Sequence, residues 1–539
     1  MNSLFLLILG TVLFVLAYAG YGAYLAKKWG IDPARKTPAH EMYDGMDYVP
    51  TNRYVLLGHH FASIAGAGPI AGPIQAAIFG WLPVYLWIII GSIFVGGVHD
   101  FGSLLASIRH KGKSIGEIIE VNIGQAGKKL FNIFAWLTMV LVVAAFTSIT
   151  ADAFATTPAA GTASFWFIFV SILFGYFVYR RNANLMISTI VGVLLIFLSI
   201  FIGYKYPFMN FSSTIWQYLL IIYIFFASVL PVWFLLQPRD YLNSFLLYTM
   251  LLGGTLGIIL MRPTLQLEAF KGFTVVTKSG TQYLFPILFV TVACGAISGF
   301  HSLVGSGTSS KQISNEKDAR FVGYGAMLIE GFLAMVALIS VAYVPKAEGA
   351  PAVIFANGVA EFMSSFGVPK EFGKVFITLA FSAFALTSLD TATRLGRYIF
   401  QEYFEERSGR KNWLGNKYVA TLITIIAAYL LLAYGYQKIW PIFGSANQLL
   451  SALALLALTA WFIRMGKNIL MTFVPMIWMF AVTLSATLLL MKNYFKAGNY
   501  VLVILAAALF VLAIILIFVT HNTIKLSGKS NKSSCEKTG

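Results

Sequence analysis

About fifteen separate runs of roughly twenty apolar residues fill this chain, and nothing else constrains its fold so tightly. Their approximate limits are 3–26, 54–80, 81–108, 127–156, 162–179, 184–204, 216–236, 241–261, 283–304, 320–344, 371–396, 417–434, 439–463, 470–491 and 499–520. The chain is 58% hydrophobic and only 11% charged, against about 25% charged residues in a soluble domain. In lipid a helix satisfies its own backbone hydrogen bonds, so long apolar runs read as membrane spans. The expectation is an all-α polytopic membrane protein of about 15 transmembrane helices.

The net charge of +17 would suggest nucleic acid in a soluble protein. Here the basic residues fall in short loops without a basic, aromatic-interleaved patch, so no nucleic-acid partner is expected and the partners are lipid and a small solute. With strictly alternating spans and the N-terminus outside, about three quarters of the 38 Lys and Arg lie inside, as the positive-inside rule requires. The C-terminus is then inside. The largest inside clusters are Lys27 to Arg53, Arg109 to Lys129 and Arg394 to Lys417. Near the N-terminus, lysines follow the apolar run instead of preceding it. That order reads as a retained first span, with cleavage near Ala19 as the alternative. Cys294 and Cys535 are too far apart in character to imply a disulfide. Segments 27–53, 109–126, 262–282 and 345–370 read as extramembrane loops, with "SIGEIIEVNIG" able to lie flat on the inner surface, and the tail from 525 reads as unstructured. No nucleotide, hydrolase or metalloprotease signature occurs, so the chain is not expected to be an enzyme, and no cofactor is expected.

The second run is not an ordinary span. "GHHFASIAGAGPIAGPIQAAIFG" packs glycines, two prolines and two histidines into membrane depth. Proline removes a donor and clashes with the preceding turn. Such breaks are tolerated where backbone lines a cavity, and transporters use them to bind solutes and ions; close helix packing through small residues is the plainer alternative. Ser63, Gly66 and Gly68 are therefore candidate substrate or ion contacts. Five spans later "FFASVLPVWFLLQPRDY" is broken by Pro231 and Pro238 and would run antiparallel to the first break. A third segment, "CGAISGFHSLVGSGTSSKQ", places Ser298 and Ser302 four residues apart. On one helical face they could join carbonyls of 63–68 around a monovalent cation, or simply bond neighbouring helices.

A charge at mid-bilayer costs about 2.5–3.5 kcal/mol, yet His59, His60, His99, Asp100, His301, Glu330 and Asp390 all sit within apolar runs. A histidine's ordinary pKa of about 6.5 suits proton transfer. His60, His99, Asp100, His301, Glu330 and Asp390 are thus proton-coupling candidates around an inward polar vestibule. His99 and Asp100 are adjacent and about 100° apart on a helix, which argues against a direct dyad. Asp390 could instead pair with Arg394 four residues on, and the histidines could be held by backbone. A zinc set from His59, His60, His99, Asp100 and His301 is a further alternative.

"GHHFASIAGAGPIAGPIQAAIFGWLP", "GGVHDFGSLLASIRHKGKSIGEI", "SGFHSLVGSGTSSKQ" and "LTSLDTATRLGRYIFQE" resemble, in order, the carbon starvation protein A family, over roughly 54–405. The C-terminal third departs most from the longer members. The resemblance implies a leucine-transporter-type 5+5 inverted repeat. Its first core helix would be 54–80, its sixth 216–238 and its eighth 283–304, with a sodium site between the first and eighth. It implies three parts: an N-terminal span and loop (1–53), a transporter core (54–400), and accessory spans with a polar tail (401–539). It also implies a bacterial or archaeal cytoplasmic membrane, and secondary import of small peptides during carbon starvation, coupled to H⁺ or Na⁺. Proton-driven pyruvate uptake is the alternative substrate reading. A membrane nutrient sensor is the alternative of another class, disfavoured by the absence of any output domain, and a channel fits the broken helices less well.

Overall fold

The computed structural model describes residues 2–45, 47–231, 234–277, 280–404 and 413–535. Each apolar run forms helix, as expected where lipid leaves a backbone no other partner. Eleven helices among the described residues are long and apolar enough to cross a bilayer, or twelve if one bent pair counts as a single span. The protein is a multi-pass membrane protein, but the count of about fifteen is not reached by intact long helices. Runs 216–236 and 417–434 yield the shorter helices Ser213–Val229 and Lys417–Leu432. Run 283–304 is divided between Leu284–Thr291 and Gly299–Gly307.

Nine elements position the site. They are α1 (Arg53–Ile64), α2 (Gly68–Ala76), α3 (Gly97–Arg109), α4 (Ser213–Val229), α5 (Leu236–Met261), α6 (Gly299–Gly307), α7 (Gly325–Ala342), α8 (Lys370–Phe404) and α9 (Tyr436–Arg464). α1 and α2 are the bent pair, 47° apart. Ala65 leaves the helical region at ψ 45°, and Pro69 and Pro73 sit at the start and inside of α2. Two glycines let the break close tightly on its neighbours. A Cβ on Gly66 would collide with Ser388, and one on Gly68 with Cys294.

Two segments read as loops are enclosed by protein. Residues 345–370 contain the helix Pro351–Ser364, which buries Phe355 and Phe362 and packs on α8. Its small residues allow this: Gly358 lies against Ser340 of α7. In "SIGEIIEVNIG" the helix Ile115–Asn122 turns Ile115, Ile118 and Ile119 into the protein against Gln125–Thr156, so that face is covered and not free for lipid. Loop 262–282 carries a two-stranded antiparallel ribbon, Thr274–Thr277 with Gly280–Tyr283. The last helix continues to Cys535, into the tail read as unstructured, because backbone i→i−4 bonds propagate from the apolar segment. Residues 405–412, within the basic stretch from Arg394 to Lys417, and the side chain of Cys535 lie outside the described residues. Cys294 is buried and free.

Candidate proton and carboxylate site

The interrupted helix carries two consecutive histidines that face different surroundings. Successive residues on a helix point about 100° apart, so His59 and His60 look to either side of α1. His59 Nδ1 lies 3.8 Å from Asp240 Oδ2 on α5. His60 is buried, with Nδ1 2.8 Å from Ser309 Oγ just after α6. Each neighbourhood opens onto a separate cluster of buried charge.

The first cluster joins α3, α6 and α7. Asp100 Oδ1 is 2.7 Å from His99 Nδ1, and its Oδ2 is 2.8 Å from His301 Nδ1. On its other edge, His301 Nε2 stands 3.3 Å from Glu330 Oε2. All four side chains are buried, Glu330 and His99 completely. The His99–Asp100 contact corrects the expectation that neighbours 100° apart would not meet: the short carboxylate swings along the helix surface to the imidazole edge. With both Nδ1 atoms directed at one carboxylate, hydrogen bonding sets each ring as a donor towards Asp100. That leaves Nε2 of His301 facing Glu330. Among the described residues no lysine or arginine pairs with Asp100 or Glu330. The cluster's own residues can approach neutrality by binding protons.

The second cluster joins α4, α5 and α8. The Arg239 guanidinium contacts Asp390 and the Tyr223 hydroxyl, and lies 3.3 Å from Asp240 and 3.2 Å from Thr387 Oγ1. Tyr223 donates to Asp390 Oδ2 at 2.8 Å, and Asn243 donates to Thr387 at 3.1 Å. The suggested Asp390–Arg394 pair is not formed. Arg394 instead donates to the carbonyls of Ala227 and Leu230, and Arg397 to that of Ser228 at 2.8 Å. These are the orphan carbonyls at the C-terminal end of α4, where the helix dipole favours cations. Arg239 alone meets the two aspartates, while Arg394 and Arg397 add two further buried guanidinium charges at the end of α4. Nε of Arg239, Arg394 and Arg397 has no acceptor among the described residues.

The break between α1 and α2 lies between the clusters. Ser63 donates to the carbonyl of His59 at 2.9 Å, and its own carbonyl accepts from Ser388 Oγ of α8 at 3.4 Å. Gly66 faces Ser388, two residues before Asp390, and Gly68 faces Cys294. Ser298 and Ser302 do not share a helical face, because Ser298 is extended (φ −141°, ψ 130°) ahead of α6. Ser298 bonds Asn447 of α9, and Ser302 donates to Gly299 O at 2.7 Å. Neither hydroxyl bonds a carbonyl of 63–68. The candidates also do not open onto a vestibule: His60, His99, Asp100, His301 and Glu330 are at most 3% exposed, because α3 packs against both α6 and α7, and α1 packs on both as well.

The residues weighed for a metal, His59, His60, His99, Asp100 and His301, are divided between clusters and do not converge. Donor atoms of Cys294, His301 and Glu330 do lie within 4.8 Å of one another. Three donors fall one short of a closed structural zinc set, and carboxylates flank both edges of His301, Asp100 at Nδ1 and Glu330 at Nε2, so a proton network is the better fit.

Sequence reasoning passed over Tyr223, Thr387, Asn243 and Asn447. Asn447 receives the Phe300 backbone N–H at 2.9 Å and donates to Ser298 at 2.9 Å, and Gln448 donates to Phe289 O at 2.6 Å. The polar "SANQ" within an apolar run was the available signal. These contacts put α9 in the neighbourhood of the site, and it is the most enclosed of the candidate spans.

Among known proteins the chain is similar to membrane transporters. The chain is 34% identical to the peptide transporter CstA of Escherichia coli K12, over 90% of this chain and 80% of that one. It is 32% identical to the pyruvate/proton symporter BtsT of the same organism, over 89% and 81%. It is 30% identical to the peptide transporter CstA of Bacillus subtilis 168, over 93% of both. A variant of the manganese transporter of Eremococcus coleocola superposes on 89% of this chain and 99% of its own, at 15% identity and a TM-score of 0.48, too loose a likeness to bear on function. The family model described as carbon starvation protein CstA matches residues 2–348 and 344–486, and the chain belongs to that family.

Proposed function

We propose that this protein is a proton-coupled secondary importer of small carboxylate-bearing nutrients, short peptides foremost, in a bacterial or archaeal cytoplasmic membrane. The observation that carries it is the buried set His99, Asp100, His301 and Glu330, which holds two carboxylates and two imidazoles with no fixed cation. Such a set exchanges protons as its surroundings change, whereas arginine keeps its charge. His301 keeps Nδ1–H on Asp100 and takes up a second proton at Nε2, becoming imidazolium, then releases it to the Glu330 carboxylate 3.3 Å away. The opposite cluster supplies fixed positive charge, with guanidinium N–H groups to spare, for a substrate carboxylate. The break at 65–67, with Ser63, Gly66 and Gly68, lies between them and lets backbone approach the substrate.

Pyruvate is the second reading, and one specific observation favours it: a relative named a pyruvate/proton symporter is nearly as similar to this chain as those named for peptides. Both substrates carry the carboxylate that the arginine cluster would meet. We favour protons over sodium because Ser298 and Ser302 share no helical face and neither meets a carbonyl of 63–68. The leucine-transporter-type 5+5 repeat, the outside N-terminus and the core at 54–400 remain part of this proposal, with α9 grouped with the core. Purified protein in liposomes, given an inward proton gradient, should accumulate labelled dipeptide or pyruvate above equilibrium. Simple equilibration of both under every imposed ion gradient would overturn the proposal.

A further inference from the structure

A lateral groove of about 340 Å³ lies between the first span, the first half of α1 and α7. Phe14, Tyr18, Leu57, Phe321, Leu328 and Phe332 line it, and almost no polar surface enters. Two of these rings carry an arginine on their faces. The Arg320 guanidinium lies 4.8 Å from the centre of the Tyr18 ring, and that of Arg53 lies 5.6 Å from the centre of the Phe321 ring. Arg53 is half-exposed; it donates to the Tyr54 hydroxyl at 2.7 Å and has one acidic neighbour, Asp318 at 3.9 Å, which leaves further N–H groups free on its outer edge. A dry slot with a doubly cationic rim at one end matches one molecule available to a membrane protein. That molecule has an apolar chain and an anionic head.

We propose that this groove binds an anionic phospholipid, with an acyl chain along Phe14, Leu57 and Leu328 and its phosphate held by Arg53 and Arg320. The alternation of basic loops puts both arginines at the inner surface. Anionic lipids concentrate there, and basic pockets between helices collect their headgroups. The site touches the transport machinery from behind. Leu57 lies two residues before His59 on α1, and Leu328 and Ile329 immediately precede Glu330 on α7. A seated lipid therefore braces the two helices that carry the proton groups, without entering the charge clusters.

The test uses the purified full-length protein in nanodiscs of phosphatidylcholine with a minor fraction of phosphatidylglycerol. Native mass spectrometry counts the lipids retained. Wild type should keep phosphatidylglycerol well above its share of the bilayer. Each guanidinium removed should weaken that preference on the order of fivefold, so R53Q/R320Q should approach the bulk ratio. L328W, which fills the groove, should lose the retained lipid of either kind. R181Q serves as the control: Arg181 also stacks on a ring, Tyr176, at 5.6 Å, but does not line this groove, and its loss should leave retention unchanged. Circular dichroism and monodisperse elution establish that each variant is folded. Equal retention of both lipids by wild type would overturn the proposal. So would an unchanged phosphatidylglycerol preference in folded R53Q/R320Q, or an equal loss in R181Q.

Discussion

The two buried charge clusters lie on either side of one helix and are built on opposite principles. Around Arg239, the cations are fixed: guanidinium groups meet Asp240, Asp390 and the carbonyl end of α4. Around Asp100, no charge is fixed, and His99, His301 and Glu330 share whatever protons are present. Desolvating ions is costly, and a buried pair is tolerated only when its geometry and hydrogen bonds are well satisfied. The arginine cluster meets that cost with permanent partners. The histidine cluster meets it by protonation, so its charge can follow the state of the protein. The contrast teaches that buried charge in this fold is divided between a constant part and an exchangeable part, with the interrupted α1–α2 helix between them.

The largest expected effect is on the fixed cluster. Arg239→Gln leaves Asp240 and Asp390 buried without their cation, which should cost about 3–5 kcal/mol, read as a sharp fall in unfolding temperature in detergent. The double variant Arg239→Gln/Asp390→Asn should recover much of that loss. Equal stability of Arg239→Gln and wild type would remove the distinction between the clusters. Next comes the hinge. Gly68→Ala drives a methyl group into Cys294 and should cost about 1–3 kcal/mol by overpacking, with Gly66→Ala doing the same against Ser388. If uptake and unfolding temperature are both unchanged, the break is not closely packed between the clusters. Glu330→Gln should behave differently from Arg239→Gln. It removes an exchangeable group without stranding a fixed one, so we expect unfolding to shift by about 1 kcal/mol or less while gradient-driven accumulation is lost. A collapse of folded protein would mean that Glu330 is a structural ion instead. Smallest is Ser309→Ala, which deletes one neutral hydrogen bond to His60, worth about 0.5–1.5 kcal/mol; a near-complete loss of uptake would draw His60 into the proton path.

Which residues carry charge was legible in the sequence, because ionisable groups in apolar runs are few and are expensive to keep. The break at 65–67 was legible for a similar reason, since glycine and proline act on backbone directly. The pairings were not. Asp390 meets Arg239 and not Arg394, because α8 runs beside α4 and α5, and Arg394 is drawn to the unbonded carbonyls at the end of α4. Helical spacing sees only the residue four positions on. Ser298 looked helical by spacing but is extended, because its chain is held by Asn447 from a helix nearly 150 residues away. The helix Pro351–Ser364 was read as loop because its apolar run is too short to span a bilayer, although it is long enough to pack on α8.

The most direct test follows protons and substrate together in one vesicle. Protein reconstituted with a pH-sensitive dye inside is given an outward-facing pulse of substrate. The wild type should acidify the lumen as labelled substrate enters. Asp100→Asn, which keeps the shape of the cluster but not its titration, should still exchange substrate in counterflow while moving no protons. Lumenal acidification in Asp100→Asn at the wild-type ratio of protons to substrate would contradict the division between fixed and exchangeable charge.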